Sequence, residues 1–287
     1  MHRRGWLVVA MMLLTNGAAP AGESPLVIVD AGGKDVKLKT WRLTTGVRRL
    51  PIGDKGPPYL EFRDEHSTTY QAGILTLVPI TSLRRLDYDY EKKTVTAVVG
   101  TAGKDTTLTG TTRYTGINRL TIEGDADLGE LGFASVKFQG GNPKGGIRGV
   151  RFPMPEPLPA LKDTTAVVVG ADKSKTRHAI AEPSVLYQLP GGGARLVPQL
   201  YFKKTVKIDL AKIASLRHVE AEDKKQTSYD FEVTLTDGAK HTLTLLTKVD
   251  LEGAKGATLA GVLGRVATGY QLFPAHTIAE LRMTGER

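Results

Sequence analysis

The sequence predicts a mainly all-β protein built from repeated units. Short runs rich in valine, isoleucine, threonine and aromatic residues are separated by glycine-rich turns along most of the chain, a pattern typical of strands joined by tight connections. Apolar and polar residues alternate within single runs, as in Val206–Leu210. This alternation predicts strands with one buried face, since successive strand side chains point to opposite faces of a sheet. A short phrase also returns four times at nearly constant spacing.

The repeated phrase begins with isoleucine and ends with arginine. Its four copies start at intervals of 67, 66 and 65 residues, and a fixed period of this size indicates repeated structural units. We expect each isoleucine to be buried and each arginine to point outward, since apolar residues flank the arginines. The copies are Ile80–Arg84, Ile147–Arg151, Ile213–Arg217 and Ile278–Arg282.

A proline-rich stretch at residues 153–163 divides the chain into two halves. Four alternating prolines predict an extended, semi-rigid linker there, because proline fixes φ and has no amide donor. The halves, 22–152 and 164–287, resemble each other in sequence, since Leu77 matches Leu210 and Lys92 matches Lys224. We therefore predict a duplicated pair of modules in ABAB order, each a small β-barrel or β-sandwich, at about 22–90, 91–152, 164–222 and 223–287.

One stretch in the fourth module has helical spacing. Leu259, Val262, Leu263 and Val266 recur at intervals of three and four residues behind Thr258, a possible helix cap. The first half lacks this spacing at the corresponding position. A short helix in the fourth module is therefore an alternative to a strand.

The first 21 residues have the features of a secretory signal peptide. Arg3 and Arg4 precede a short apolar run, Trp6–Leu14, and small residues around Ala21 suit cleavage before Gly22. The apolar run is too short to span a bilayer, which needs about 20 residues. The sequence therefore predicts an exported protein, periplasmic or extracellular, without a transmembrane segment in the mature chain.

Composition excludes several classes of protein. The chain has no cysteine, so disulfide frameworks, thiolate metal sites and cysteine nucleophiles are excluded.

The formal charge is +9, and removal of Arg3 and Arg4 leaves +7. Residues 22–155 carry +4 and residues 156–287 carry +3. This even spread favours general attraction to anionic polymers over a nucleic-acid groove, where basic residues cluster.

The strand pattern and the period together resemble small β-barrel modules of the SH3 or Sm kind, and also uncharacterised exported bacterial β-repeat proteins. The resemblance implies a mainly β architecture and no particular activity. The resemblance implies no cofactor, and the sequence contains no nucleotide-binding motif.

Three sets of residues are candidates for function. Asp64, Glu65 and His66 form the densest polar cluster and could serve acid–base chemistry in a hydrolase. A second set has the oxygen ligands that a calcium ion prefers but not the full EF-hand spacing, and an ordinary solvated turn or strand face is the alternative. That set is Asp125, Asp127 and Glu130.

The repeated arginines are the third set. Guanidinium groups at Arg84, Arg151, Arg217 and Arg282 could bind a phosphate- or carboxylate-bearing polymer. The alternative is cross-strand pairing with acidic neighbours. The sequence thus favours an exported, non-catalytic β-repeat protein that binds or scaffolds envelope components, with a hydrolase whose site lies between modules as the alternative.

Overall fold

The computed structural model describes residues 25–45, 47–51, 58–63, 73–111, 120–140, 146–153, 155–161, 163–171, 175–219 and 229–284. The predicted signal peptide lies outside the described residues, as do Asp64, Glu65 and His66.

Strands dominate the described chain, and the prediction of a mainly all-β protein is confirmed. The first half contains β1 (Leu26–Asp30), β2 (Asp35–Thr45), β3 (Val47–Arg48), β4 (Tyr59–Arg63), β5 (Leu75–Pro79), β6 (Leu83–Asp89), β7 (Thr94–Thr101), β8 (Lys104–Thr111), β9 (Thr121–Asp127), β10 (Phe133–Gln139) and β11 (Ile147–Arg151). The second half contains β12 (Ala166–Gly170), β13 (Arg177–Gln188), β14 (Ala194–Val197), β15 (Gln199–Phe202), β16 (Val206–Asp209), β17 (Ile213–His218), β18 (Asp230–Leu235), β19 (Lys240–Thr244), β20 (Lys248–Leu251), β21 (Ala254–Val266), β22 (Gly269–Phe273) and β23 (Ile278–Met283). Helical structure in the described part is limited to 3₁₀ turns of three residues, at Ile80–Ser82, Gly129–Leu131, Leu210–Lys212 and Ala275–Thr277.

The alternative of a short helix in the fourth module is wrong. Leu259–Val266 belongs to β21, which pairs with β13 on one side and β22 on the other. Gly261 has a φ of +147°, a value outside the helical region. The helical spacing arises because β21 is buried on both faces near its centre and its pairing with β13 shifts register twice.

The first sheet has the strand order β10-β9-β2-β1-β11-β6-β7-β8, all antiparallel. Its strands come from both predicted modules of the first half, since β11 lies between β1 and β6, and β9 lies beside β2. The modules are therefore interleaved in one sheet and do not form separate sheets. Pairing between the closing strands β6 and β11, with Leu86 opposite Val150, ties the modules together.

The second sheet repeats this order. It runs β19-β18-β17-β23-β12-β13-β21-β22, which matches the first sheet strand for strand when that sheet is followed from β8 to β10. The closing strands β17 and β23 again pair at its centre, with Leu216 opposite Leu281. Beyond β22 the sheet continues into β5, β4 and β3 of the first half.

The repeated isoleucines are buried, as predicted: Ile80, Ile147, Ile213 and Ile278 are at most 6% exposed. Three of them are the first residues of β11, β17 and β23. Ile80 instead begins a 3₁₀ turn, and Leu83 begins the corresponding strand β6. The first copy of the phrase is thus displaced by three residues, so that Asp87, and not Arg84, occupies the strand position of the other arginines.

Each sheet buries one face beneath a hairpin. In the first half, Leu60 and Val78 of the β4–β5 hairpin pack with Leu26, Ile28 and other buried residues of the first sheet. In the second half, Leu200 and Phe202 of β15 pack in the same way over Val168. Burial of these side chains provides most of the favourable free energy of folding.

The two halves are joined by strand pairing. β5 of the first half pairs with β22 of the second, with Leu77 opposite Tyr270 and Leu75 opposite Leu272. Buried leucines from both halves form a third apolar cluster at this junction: Leu50, Leu75, Leu77, Leu186, Leu263 and Leu272.

Residues 155–161 of the predicted linker lie against the first half. The Glu156 amide donates to the Thr81 carbonyl at 2.8 Å and the Leu158 amide donates to the Gly100 carbonyl at 2.9 Å. Leu158 also packs on the first core. Among the described residues, no helix has the length and apolar character needed to cross a bilayer.

Candidate binding surface

The repeated arginines do not converge on one site. Arg84 forms an ion pair with Asp105 (2.8 Å) and Arg151 pairs with Asp35 (2.9 Å), both in the first half. Arg282 pairs with Glu280 (2.8 Å) in the second. These arginine side chains are 45–60% exposed, so solvent screens the pairs and each contributes at most about 1 kcal/mol to stability.

Arg217 lies between two carboxylates in the second sheet. It is opposite Glu232 of β18 and opposite Glu280 of β23 in the strand register. Arg217 also lines a shallow pocket of about 380 Å³ together with Lys175 and His218. Of the four arginines, only Arg217 thus has the direct cross-strand neighbours that the sequence suggested; Arg282 pairs within its own strand, and Arg84 and Arg151 pair with acids two strands away.

The acidic candidates Asp125, Asp127 and Glu130 are placed on β9 and the 3₁₀ turn that follows it. Asp127 accepts a hydrogen bond from the Gly129 amide at 2.8 Å, and so closes the turn. Asp125 accepts from Thr40 and Ser135. Within the described ranges, no three histidine, aspartate or glutamate side chains are arranged to hold a metal ion.

A polar groove lies on the outer face of the first sheet, where β2, β9 and β10 are adjacent. We call it the β2–β9–β10 groove; its volume is about 450 Å³. Gly124 in β9 has no side chain, and a Cβ there would collide with the Thr40 carbonyl oxygen. The groove is lined by Thr40, Trp41, Arg42, Glu123, Gly124, Asp125, Ser135, Val136 and Lys137.

Two rows of side chains cross the three strands of this groove. In the first row, Glu123 accepts hydrogen bonds from Arg42 at 2.8 and 3.1 Å and pairs with Lys137 at 3.1 Å. In the second, Asp125 accepts from the Thr40 hydroxyl at 2.6 Å and the Ser135 hydroxyl at 2.9 Å. Strand register produces both rows, since each acid stands opposite its partners on both sides.

These contacts keep both acids ionised. Hydrogen bonds from Lys137 and then Arg42 lower the pKa of Glu123 below its ordinary value. Hydrogen bonds from Thr40 and then Ser135 lower the pKa of Asp125. A general acid at neutral pH needs a raised pKa, so neither carboxylate suits that role. The groove instead offers the remaining N–H groups of Arg42 and Lys137 as donors, and the hydroxyl oxygens of Thr40 and Ser135 as acceptors, because each hydroxyl already donates its proton to Asp125.

Sequence reasoning missed most of the groove, because cross-strand neighbours are set by register and not by sequence spacing. The available signal was that polar residues recur two positions apart, at Glu123 and Asp125 and at Ser135 and Lys137. Each pair predicts one polar face of a strand. Nothing in the sequence indicated that these faces lie side by side.

The groove ends at the edge strand β10. Within the described residues β10 pairs only with β9. Large apolar side chains are exposed beside it, with Leu131 at 85% and Phe133 at 54%. The Lys39 ammonium lies 4.8 Å from the centre of the Phe133 ring, a distance at which a cation is attracted to the ring face.

A scan against protein-family models, a search of curated proteins and a search of solved structures found no match to this chain.

Proposed function

We propose that this is an exported, non-catalytic protein that binds anionic polymers of the cell envelope and scaffolds other envelope components. The observation that carries the proposal is the pair of polar rows lining the β2–β9–β10 groove. The exposed Arg42 and Lys137 cations can donate to acidic groups of a polymer, and the Thr40 and Ser135 hydroxyl oxygens can accept from its hydroxyl groups. The net charge of +7 that remains without Arg3 and Arg4 adds attraction to anionic polymers.

The organisation of the chain supports a scaffold built by internal duplication. The shared strand order of the two sheets and the matching positions of β11 and β23 are the expected products of a duplicated ancestral half. The duplicated unit is then the whole half, with its two modules interleaved. The alternative hydrolase rests on Asp64, Glu65 and His66, outside the described residues, and stays a sequence prediction.

Export and binding are tested together. Full-length protein expressed in a Gram-negative host is expected in the periplasmic fraction, with a mass corresponding to cleavage before Gly22. Purified mature protein should sediment with isolated envelope material, and the bound fraction should fall with added salt, since exposed charges are screened beyond about 10 Å at 0.1 M ionic strength. Retention of the uncleaved chain in the cytoplasm would contradict export, and no sedimentation at low salt would contradict binding.

Filling the groove should abolish this binding. Ser135→Tyr adds a ring at an exposed position of the groove lining, beside Asp125, so we expect at least a tenfold loss of envelope retention, equal to about 1.4 kcal/mol. Thr109→Tyr, at an exposed position of the opposite edge strand β8, is the matched control and should bind normally. Equal binding by the two variants would remove the groove from the proposal.

The repeated arginines should contribute little to retention. Replacing Arg84, Arg151, Arg217 and Arg282 with glutamine removes side chains that lie beside carboxylates. We expect a stability loss of at most about 1 kcal/mol per pair and retention similar to that of a variant with four exposed lysines replaced: Lys104, Lys203, Lys212 and Lys240. A selective loss in the arginine variant would instead identify them as the anion-binding residues.

A further inference from the structure

The two halves use equivalent strands differently. In the first half, the outer edge of β5 is paired with β22 of the second half. In the second half, β16 occupies the place of β5 but pairs only with β15 among the described residues. Likewise β10 occupies the place of β22 and, in that same part of the chain, has no strand on its outer side. In the described part of the chain, one edge of β16 and one edge of β10 are thus without a paired strand.

The equivalence of β5 and β16 follows from their surroundings. Each is the second strand of a hairpin and leads directly into a 3₁₀ turn. The first residue of each turn donates its amide to a proline carbonyl ahead of the hairpin: Ile80 to Pro58 at 3.0 Å and Leu210 to Pro198 at 2.7 Å. Pro79 and Asp209 therefore end equivalent strands.

The equivalence of β10 and β22 follows from the strands that precede them. Val136 in β10 stands opposite Gly124 of β9, and Gln271 in β22 stands opposite Gly264 of β21. Both glycines lie where a Cβ would collide with the neighbouring strand, at Thr40 and at Ile180. Val136 therefore corresponds to Gln271, and Ser135 to Tyr270.

We propose that β16 of one chain adds to the open edge of β10 in a second copy of the chain, antiparallel, as β5 adds to β22 within the chain. Carrying the observed register of β5 and β22 across to the open edges places Lys207 opposite Ser135 and Val206 opposite Val136. This contact is a heterologous one, and such contacts close into rings or continue as open chains. The inference does not rest on envelope binding, although Ser135 also lines the β2–β9–β10 groove.

The side chains suit this register. Val206 and Ile208 face the second core and Val136 faces the first, so apolar residues meet on one face, with Ile208 opposite Ala134. On the other face, Lys207 meets Ser135, whose hydroxyl is bonded to the Asp125 carboxylate. The main-chain groups of both edges become paired, which is how extended segments bind sheet edges.

The contact should be weaker than the one inside the chain. Leu77 and Tyr270 join the apolar cluster between the halves, whereas Lys207 and Ser135 at the equivalent positions are polar. A lysine on an edge strand also limits indiscriminate pairing. We therefore expect reversible self-association that depends on protein concentration.

Sedimentation velocity of the purified mature protein, at concentrations between about 10 and 500 μM, measures this association directly. The wild type is expected to shift to larger species as concentration rises. Lys207→Glu should sediment as a monomer, because it brings a negative charge toward Asp125, while Lys240→Glu, on the edge strand β19, should associate normally. A monomeric wild type throughout, or equal association of the two variants, would overturn the proposal.

Engineered cysteines test the register, since the chain has none of its own. A mixture of Ser135→Cys and Lys207→Cys chains under mild oxidation should form disulfide-linked dimers several-fold faster than a mixture of Ser135→Cys and Lys240→Cys chains. Faster linkage of Ser135→Cys to itself would show that β10 pairs with β10 and would overturn the assignment of β16. Envelope retention of Lys207→Glu should equal that of Lys240→Glu, which carries the same change of charge, so failure of self-association and failure of envelope binding are separable.

Discussion

Replacing Ile278 with alanine is expected to lower the free energy of unfolding by about 2–5 kcal/mol. Ile278 is 2% exposed and begins β23 at the centre of the second sheet. Truncation removes buried methyl groups and leaves a cavity that a sheet paired on both sides closes poorly. Ile147 and Ile213, at the start of β11 and β17, should show losses in the same range, as should Leu83 in β6.

Urea denaturation followed by circular dichroism measures these losses. Arg282→Ala is the control from the same strand: its side chain is 60% exposed and pairs with Glu280, so we expect a loss of at most about 1 kcal/mol. If Ile278→Ala and Arg282→Ala cost the same, the repeated isoleucine does not act as a packing residue. A near-zero cost for Leu83→Ala would argue against its equivalence to the three strand-initiating isoleucines.

Replacing Gly261 with alanine is expected to cost about 2–6 kcal/mol, the sum of an overpacking cost of about 1–3 kcal/mol and a backbone cost of about 1–3 kcal/mol. Gly261 has a φ of +147° within β21, and a Cβ there would collide with the carbonyl oxygen of Phe273 and lie 2.9 Å from the Cα of Pro274. Backbone atoms cannot move aside as a flexible side chain could, so β21 and β22 must separate.

Gly238→Ala is the matched control for this variant. Gly238 also has a positive φ, +88°, but a Cβ there would have nothing within 4 Å. Its cost should therefore be the backbone term alone, about 1–2 kcal/mol. Equal thermal midpoints for the two variants would show that the close approach of β21 to β22 is not required for stability.

Different parts of the chain were predictable to different extents. Alternation within Val206–Leu210 predicted a strand correctly, because side-chain period is a local property. The spacing of Leu259 and Val262 suggested a helix and was misleading, because a strand buried on both faces loses its alternation. The sequence repeat aligns Ile80 with Ile213, but in the structure Leu83 is the residue equivalent to Ile213, since each is the first residue of its strand. The first residue of the 3₁₀ turn and the first residue of the strand are both buried apolar residues. An isoleucine in the sequence therefore does not show which of the two positions it occupies.

The candidate site divides in the same way. The outward direction of the repeated arginines followed from the apolar residues beside them, whereas their partners Asp35 and Asp105 are far away in sequence or on another strand. No spacing rule connects Arg42, Glu123 and Lys137. They meet because β9 lies between β2 and β10, and that order is decided by how the whole half folds.

The sequence alone determined the β character and the burial of the four repeated isoleucines, because both depend on local patterning of apolar and turn-forming residues. The tertiary structure alone decided that the modules interleave, that β5 pairs with β22 as well as with β4, and that two polar rows form one groove. The physical reason is that strand pairing joins backbone groups that are alike in every residue, so the choice of partner depends on which arrangement buries all the apolar faces together.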